Sequence, residues 1–151
     1  MANDPDNARL LAAGAQLSAL YGSQLVEDSE RARALTAKGL AYGERAACVV
    51  HAPACDWHRL DHDAYVAALE EIGPREFEVF YAYTGSWLGH LEATGDWDAV
   101  AALPRVEALL SRLLVLDETY DHGNLHTYLG VLNSLRPPAL GGRRHWSRLL
   151  C

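Results

Sequence analysis

Apolar residues recur along this chain at spacings of three and four positions, which is the period of an amphipathic α-helix. The clearest case is residues 104–135, where one apolar stripe ends at a polar corner at residues 116–120 and a second stripe follows. Neither stripe can bury itself alone, so the two helices must pack on each other. The stripes are Val106, Leu109, Leu110 and Leu113, and then Leu125, Leu129, Leu132 and Leu135.

The same pattern predicts two helices near the start of the chain. The first covers about residues 7–22 and the second about residues 29–49. Glycine inside a helix costs about 1 kcal/mol relative to alanine, so Gly14 and Gly39 indicate close helix contact. The predicted inner faces are Leu10, Gly14, Leu17 and Tyr21 in the first helix, and Ala32, Leu35, Gly39, Tyr42, Ala46 and Val49 in the second.

The middle of the chain is less regular. Pro53 breaks any helix in residues 50–60, and a short helix is expected over residues 61–72. Residues 75–94 predict a long, aromatic-rich helix that is central because it is apolar around much of its circumference. A short turn is expected at residues 97–103, and Pro104 starts the next helix. After a Pro-Pro and Gly-Gly break, a last helix is expected over residues 143–151.

These elements predict an all-α fold. Alanine and leucine are abundant and β-branched residues scarce, which favours helices over strands. Trp87-Leu88-Gly89 is echoed by Tyr128-Leu129-Gly130, which indicates a degenerate repeat. We predict a single domain over residues 1–151, built of tetratricopeptide-like antiparallel helix pairs in a short right-handed α-solenoid. An irregular insertion at about residues 50–72 interrupts it.

Net charge and hydropathy limit the classes of function that this chain can have. The formal net charge is −7, and an acidic surface repels phosphate backbones, so nucleic-acid binding is not expected. No run of about 18 apolar residues exists to span a membrane. The N-terminus lacks the basic and apolar regions of a signal peptide. On these grounds alone, either the protein is cytoplasmic or its targeting segment is absent from this chain.

Three cysteines are present, namely Cys48, Cys55 and Cys151. An odd number cannot form a complete set of disulfides within the chain. Cys48 and Cys55 flank a short loop and could pair in an oxidising compartment. Two free thiols are the favoured prediction, and the disulfide is the alternative.

The sequence offers little catalytic chemistry. Residues 51–63 combine thiol, imidazole and carboxylate groups that could hold zinc, but their spacing fits no compact zinc module, so a polar loop is favoured. His122 and His126 share a helix face, yet a capping and packing role is favoured for them too. Neither a nucleophile elbow nor a phosphate-binding glycine loop occurs. We therefore expect no enzyme, no cofactor and no metal. The cluster in residues 51–63 is His51, Cys55, His58, Asp61, His62 and Asp63.

The aromatic residues are the best candidates for a binding surface. Core packing is favoured for most of them, because aromatics dominate cores by area. The alternative is a cleft on the concave face of the array, where solenoids bind ligands or partners. Tyr83, Trp87 and His90 lie within two turns of one helix and could line it, with Tyr128 facing them. The whole set is Phe77, Phe80, Tyr81, Tyr83, Trp87, Trp97 and Tyr128.

Several segments together resemble the T-component family of TRAP (tripartite ATP-independent periplasmic) transporters. The likeness covers nearly the whole chain, in order. Its most specific parts are the segments that begin at Pro104 and Pro137. The matching segments are Asp4-Pro5-Asp6-Asn7, Glu30-Arg31-Ala32, Gly85-Ser86-Trp87, Asp96-Trp97-Asp98, Pro104-Arg105-Val106-Glu107, Tyr128-Leu129-Gly130 and Pro137-Pro138-Ala139-Leu140-Gly141-Gly142.

The resemblance implies a periplasmic, tetratricopeptide-like protein without enzymatic activity. It implies association with the solute-binding protein of the transporter, assembly into trimers, and a role in holding or passing a small apolar ligand. The family pattern continues beyond Gly142, so we expect this chain to be truncated at its C-terminal end. The contact surfaces expected are the aromatic cleft and the corner at residues 137–142. A stand-alone ligand-binding module is the main alternative, and a metal-dependent enzyme using residues 51–63 is the weakest.

Overall fold

The computed structural model describes residues 7–137 and 139, and they adopt an all-α fold, which confirms the predicted fold class. Six α-helices follow one another, with 3₁₀ segments at two of the connections in this part of the chain. The elements are α1 (Ala8–Gln24), α2 (Ser29–Val50), a 3₁₀ segment (Ala52–Arg59), α3 (His62–Leu69), a 3₁₀ turn (Pro74–Glu76), α4 (Phe77–Thr94), α5 (Trp97–Asp117) and α6 (Tyr120–Leu135).

Polar side chains define where four of the helices begin. Asn7, Asp28, Asp61 and Asp96 each accept a hydrogen bond from a backbone N–H in the first turn of α1, α2, α3 and α5, respectively. Such caps satisfy amide groups that have no partner within the helix. Gly95 ends α4 in the left-handed conformation, with φ of 59°, which glycine adopts at little cost.

Helix α4 is the centre of the fold, as its apolar sequence predicts. It packs against α1, α2, α5 and α6. Phe80 and Leu88 of α4 are buried, together with the predicted apolar stripe of α5. In α6, Leu125 and Leu132 are buried, whereas the other two predicted positions, Leu129 and Leu135, are half-buried.

The predicted inner face of α1 is wrong. The residues that lie inward are Leu11, Ala15, Ala19 and Gly22, whereas Leu10, Leu17 and Tyr21 are exposed. The reason is the close approach of α2: a Cβ atom on Gly39 would lie 3.0 Å from the carbonyl oxygen of Ala15. Only small side chains fit such a contact, so Ala15 and Ala19 lie there and Leu10, Leu17 and Tyr21 face outward. The predicted inner face of α2 is confirmed at Ala32, Gly39 and Ala46, which are buried, but Val49 at its end is exposed.

The expected turn before Pro104 is absent, because α5 runs unbroken from Trp97 to Asp117 and contains the proline. A proline inside a helix removes one backbone hydrogen bond and crowds the preceding turn. Here the burial of Ala99 and Leu103 before it and Val106 after it continues one apolar stripe across the proline. Tertiary packing therefore overrides the local preference for a break.

The start of α6 also differs from the prediction. Asp121, His122 and Gly123 do not cap a regular helix but have positive φ angles of 51°, 58° and 78°. The chain makes a left-handed corner there before the regular turns of α6 begin. Asp121 is thereby placed beside α4.

Residues 50–72 form an ordered layer that is fixed to α5 by two arginines. The guanidinium of Arg105 donates to the carbonyl oxygens of Trp57 and Leu60. The guanidinium of Arg112 donates to the carbonyl oxygens of Glu70 and Ile72, at 2.9 and 2.8 Å. These bonds satisfy carbonyl groups where the 3₁₀ segment and α3 end. The expected irregular insertion is thus a 3₁₀ segment followed by a short helix.

The favoured prediction of two free thiols at Cys48 and Cys55 is wrong, because a disulfide joins them across a Cα–Cα distance of 4.7 Å. That separation lies within the usual range for a disulfide. The helical end of α2 and the first turn of the 3₁₀ segment bring the two residues together. The bond ties the ordered layer to α2.

Some predictions fall outside the described residues. They are the last helix at residues 143–151, with its three arginines and Cys151, and the corner at residues 137–142 apart from Pro137 and Ala139. The right-handed solenoid and the single-domain organisation stay predictions. In the part of the chain that the structure describes, no helix has the length and hydropathy needed to cross a membrane.

Candidate functional site

The candidate residues Tyr83 and Trp87 lie on the side of α4 that faces α2 and α5. Their rings stack with centroids 5.4 Å apart and both are half-buried. They line a cleft of about 650 Å³ beside the disulfide, here called the Trp87 cleft. Burial raises the pKa of Tyr83 well above its ordinary value, so its hydroxyl stays neutral. The other residues that line the Trp87 cleft include Glu44, Arg45, Cys48, Cys55, Trp57, His58, Tyr65 and Arg105.

His90 lies between α4 and α2 and does not line the Trp87 cleft. Its Nδ1 is 3.1 Å from Oγ1 of Thr36. The Thr36 hydroxyl donates to the carbonyl oxygen of Ala32 at 2.8 Å, so it accepts from Nδ1–H of neutral His90. Burial lowers the pKa of His90, which keeps the ring neutral. His90 therefore joins two helices.

Tyr128 is on a different side of α4 from Tyr83 and Trp87. Its ring stacks on Tyr81, with centroids 5.5 Å apart. Both tyrosines line a second cleft of about 770 Å³, bounded by α1, α4 and α6 and here called the α1–α4–α6 cleft. The four candidate residues thus contribute to two clefts and one helix contact, and they do not meet in one surface.

Small and aliphatic residues form most of the α1–α4–α6 cleft. Two glycines of α4 keep it open: a Cβ atom on Gly85 would lie 2.8 Å from the Tyr128 hydroxyl, and one on Gly89 would lie 3.3 Å from Cβ of Ala19. Glycine at these positions allows α1 and α6 to approach α4 closely. The apolar walls are Ala13, Leu17, Ala19, Leu20, Leu88 and Val131.

Polar side chains also line this cleft: Gln16, Ser23 and Gln24 on α1, Glu92 on α4, and a hydrogen-bonded group where α6 begins. The hydroxyl of Tyr81 donates to Oδ2 of Asp121 at 2.8 Å, and Nδ2 of Asn124 donates to the Tyr81 hydroxyl at 2.7 Å. Burial raises the pKa values of Tyr81 and Tyr128, so both remain neutral phenols. We call this hydrogen-bonded group at the start of α6 the polar end of the cleft.

The backbone at this polar end is strained. Asp121 and His122 occupy the left-handed region, which costs roughly 1–2 kcal/mol for a residue with a Cβ atom, although aspartate tolerates it better than most. Such strain persists only where surrounding contacts hold it, and it is concentrated at functional sites. Here the bonds between Tyr81, Asp121 and Asn124 provide those contacts.

Large apolar side chains are exposed beside this cleft. Leu17 and Leu20 line it and are 68% and 59% exposed, respectively. Leu10, Tyr21 and Leu25 of the same stretch are also exposed. Contiguous exposed apolar surface marks interaction sites more often than isolated apolar residues do. We call these five residues the α1 apolar face.

The polar cluster in residues 51–63 is dispersed. Cys55 is consumed by the disulfide, His51 contacts Trp57 and Glu76, and Asp61 caps α3. Within residues 7–137 and 139, no three histidine, cysteine, aspartate or glutamate side chains come together in a group that could hold a metal ion. The metal-enzyme alternative gains no support from this arrangement.

Sequence reasoning missed Tyr81, Asp121 and Asn124 as a group. One signal was available in the run from Asp121 to Asn124, since aspartate, glycine and asparagine are the residues that best tolerate positive φ. That run indicates a turn, but it cannot show that the turn meets α4. Gly85 and Gly89 also marked a close approach.

The structure thus defines an all-α protein with one cleft on each side of α4. A family model described as TRAP transporter T-component matches residues 1–150, essentially the whole chain, and the chain belongs to that family. Its role is accordingly that of an accessory component of a TRAP transporter. No curated protein matches the chain.

Proposed function

We propose that this protein is a non-catalytic accessory subunit that docks the periplasmic solute-binding protein of a TRAP transporter and holds a small apolar ligand in the α1–α4–α6 cleft. The family membership supports the transporter association. The observation that carries the rest is the cleft itself, an apolar space of about 770 Å³ whose rim is exposed leucine. Binding pockets of small molecules commonly have such a volume and such walls.

The α1 apolar face is the proposed docking surface. Leu17 and Leu20 are 68% and 59% exposed, and exposed apolar side chains that lie together mark interaction surfaces. Because both residues also line the cleft, a partner docked there would cover the cleft. Docking and ligand passage would then be coupled, as an accessory subunit that receives or delivers a ligand requires.

The disulfide supports a periplasmic location. Disulfides persist in oxidising compartments such as the bacterial periplasm and are rare in the cytosol. A bond between Cys48 and Cys55 is consistent with export of the protein.

Homotrimer formation is also part of the proposal, on the basis of the family, and sedimentation or light scattering of the purified protein measures it.

The docking proposal is tested with the solute-binding protein of the TRAP transporter from the same organism. Titration calorimetry compares the wild type with Leu17→Ser/Leu20→Ser, in which the apolar rim becomes polar. The matched control is Val115→Ser, because Val115 is 75% exposed on α5 and lies outside both clefts. We expect the double variant to lose at least about tenfold in affinity, since each buried leucine contributes about 1.5–3 kcal/mol.

Equal affinity of the wild type and the double variant would remove α1 as the docking surface. If the wild type shows no binding to the solute-binding protein while a ligand still binds, the stand-alone ligand-binding module is the better description. The volume and apolar walls of the cleft favour that second candidate as the alternative.

A further inference from the structure

We propose that the ligand of the α1–α4–α6 cleft is an amphipathic amine, an apolar chain with a protonated ammonium group that binds Asp121. This inference rests on the proposed ligand-holding function and adds the sign of the charge on the ligand's head group. Three observations carry it: the direction of the hydrogen bonds, the charges on the walls, and the placement of Asp121.

Two hydrogen bonds at the polar end of the cleft form a chain that leads to Asp121. The amide of Asn124 donates to the hydroxyl of Tyr81, which donates to the carboxylate of Asp121. The chain of donors therefore ends on a group that only accepts. A carboxylate has about four acceptor positions, and Tyr81 uses one of them. The carboxylate of Asp121 consequently offers unused acceptor positions to a ligand that carries donors.

The charged residues on the cleft walls have one sign. Among the residues that line the cleft in the described part of the chain, the ionisable acids are Glu92 and Asp121, and lysine, arginine and histidine are absent. An anionic head group would be placed near these carboxylates inside a partly apolar space, where like charges repel more strongly than in water. A cationic head group would instead gain a charge-assisted hydrogen bond.

The strained corner fixes the position of Asp121. Its φ of 51° turns the residue toward α4, and the bond from Tyr81 holds its carboxylate at the mouth of the cleft. A carboxylate placed for solubility alone would need neither a left-handed backbone nor a buried phenol as its partner. The apolar walls then accept the hydrocarbon part of the ligand.

The test uses three probes with the same chain: octylammonium, 1-octanol and octanoate. Calorimetric titration at pH 7 gives the affinity of each for the wild-type protein. We expect octylammonium to bind most tightly, octanol less tightly, and octanoate at least about tenfold more weakly than octylammonium, the size expected for one charge-assisted hydrogen bond.

Two isosteric variants separate the local charge of Asp121 from the net charge of the protein. Asp121→Asn removes the carboxylate, and asparagine tolerates the left-handed backbone well. Glu118→Gln makes the same change in net charge at an exposed residue outside the cleft, near His126. We expect Asp121→Asn to weaken octylammonium binding about tenfold and leave octanol within about twofold, whereas Glu118→Gln changes neither.

The outcomes are distinguishable. If octanoate binds as tightly as octylammonium, or if Asp121→Asn and Glu118→Gln weaken octylammonium equally, the amine inference is wrong while the cleft remains a ligand site. If none of the three probes binds, the ligand-holding function and the amine inference both fail. The comparison of the three probes on the wild-type protein decides the sign of the preferred head-group charge even if a variant does not fold.

Discussion

The two sides of α4 differ in how their residues are used. On the side facing α2 and α5, large rings fill space: Trp57 stacks on Phe80 at 5.6 Å and meets Tyr65 edge-on at 5.7 Å. On the side facing α1 and α6, glycine and alanine allow close helix contact and leave a cleft open. We call the first side, which is held by aromatic contacts, two arginines and the disulfide, the fastened side. We call the second side, which is rimmed by exposed leucines, the cleft side.

This difference teaches that aromatic abundance is a poor guide to a binding surface. Phe77 and Phe80 of the predicted set serve core packing, the usual role of aromatic residues because each buries a large area. The other rings are divided between the two clefts, apart from the exposed Trp97. The proposed ligand cleft instead lies where Gly85 and Gly89 leave room for Tyr128 and Ala19 beside α4. Contacts on the fastened side hold α4 in place, and the cleft side of the same helix presents Tyr81 and the glycines.

The largest expected effect is on the fastened side. Trp57 is 5% exposed, so Trp57→Ala should lower the free energy of unfolding by about 3–5 kcal/mol through lost burial and a cavity. Equilibrium unfolding in urea measures it. The control is Trp97→Ala, since Trp97 is 80% exposed and should change stability by less than about 0.5 kcal/mol. Similar losses in both variants would contradict the assignment of Trp57 to the core.

The disulfide should contribute the next largest effect. Replacing both Cys48 and Cys55 by alanine should cost about 2 kcal/mol, because the bond closes a short loop and restricts the unfolded chain. Thermal melting with and without reductant measures this. The wild type should melt at a lower temperature in reductant, and the double variant should be indifferent to it. A reductant-insensitive wild type would show that the disulfide adds little to the arginine bonds and the core packing of the layer.

A smaller effect is expected at the contact between α1 and α2. Overpacking against the α1 backbone costs about 1–3 kcal/mol, and alanine regains up to about 1 kcal/mol of helix propensity. Gly39→Ala should therefore destabilise by about 1 kcal/mol net, as measured by denaturant unfolding. Gly130→Ala, where a Cβ atom would meet nothing within 4 Å, should stabilise instead. Equal shifts for both variants would argue against close packing of α1.

The smallest effect concerns His90. Its pKa is lowered from 6.5 in the folded protein, so the unfolded chain takes up a proton first as the pH falls. Stability should thus decline as the pH drops through 6.5, and His90→Gln should lose that part of the decline. Urea unfolding at a series of pH values tests it. A variant with the pH profile of the wild type would show that His90 titrates alike in both states.

Sequence patterns predicted the elements better than their orientation. The α5 stripe from Val106 to Leu113 and the central place of α4 followed from apolar periodicity, because long periodic stretches have one way to be buried. The face of α1 could not be predicted in this way, since its helix carries apolar residues on two sides. The choice between Leu10 and Leu11 depends on how closely α2 approaches.

The candidate site was harder to predict than the fold. Tyr128 was identified from its position in a helix, but its partner Tyr81 lies on another helix, and only the tertiary structure brings them together. The corner at Asp121 depends on three consecutive left-handed residues, which local sequence permits but does not require. Free thiols at Cys48 and Cys55 were wrongly favoured for a similar reason, because spacing only allows the bond, whereas compartment and geometry determine it.

The central claim is that the α1–α4–α6 cleft, and not the aromatic side, is the surface that binds. Titrating ¹⁵N-labelled protein with octylammonium and following backbone amide and indole resonances tests it most directly. The account predicts the largest shifts at Gly85, Gly89 and Asn124, with the Trp57 and Trp87 indole signals unchanged. Shifts concentrated at Trp87 and the Cys48–Cys55 loop would contradict it.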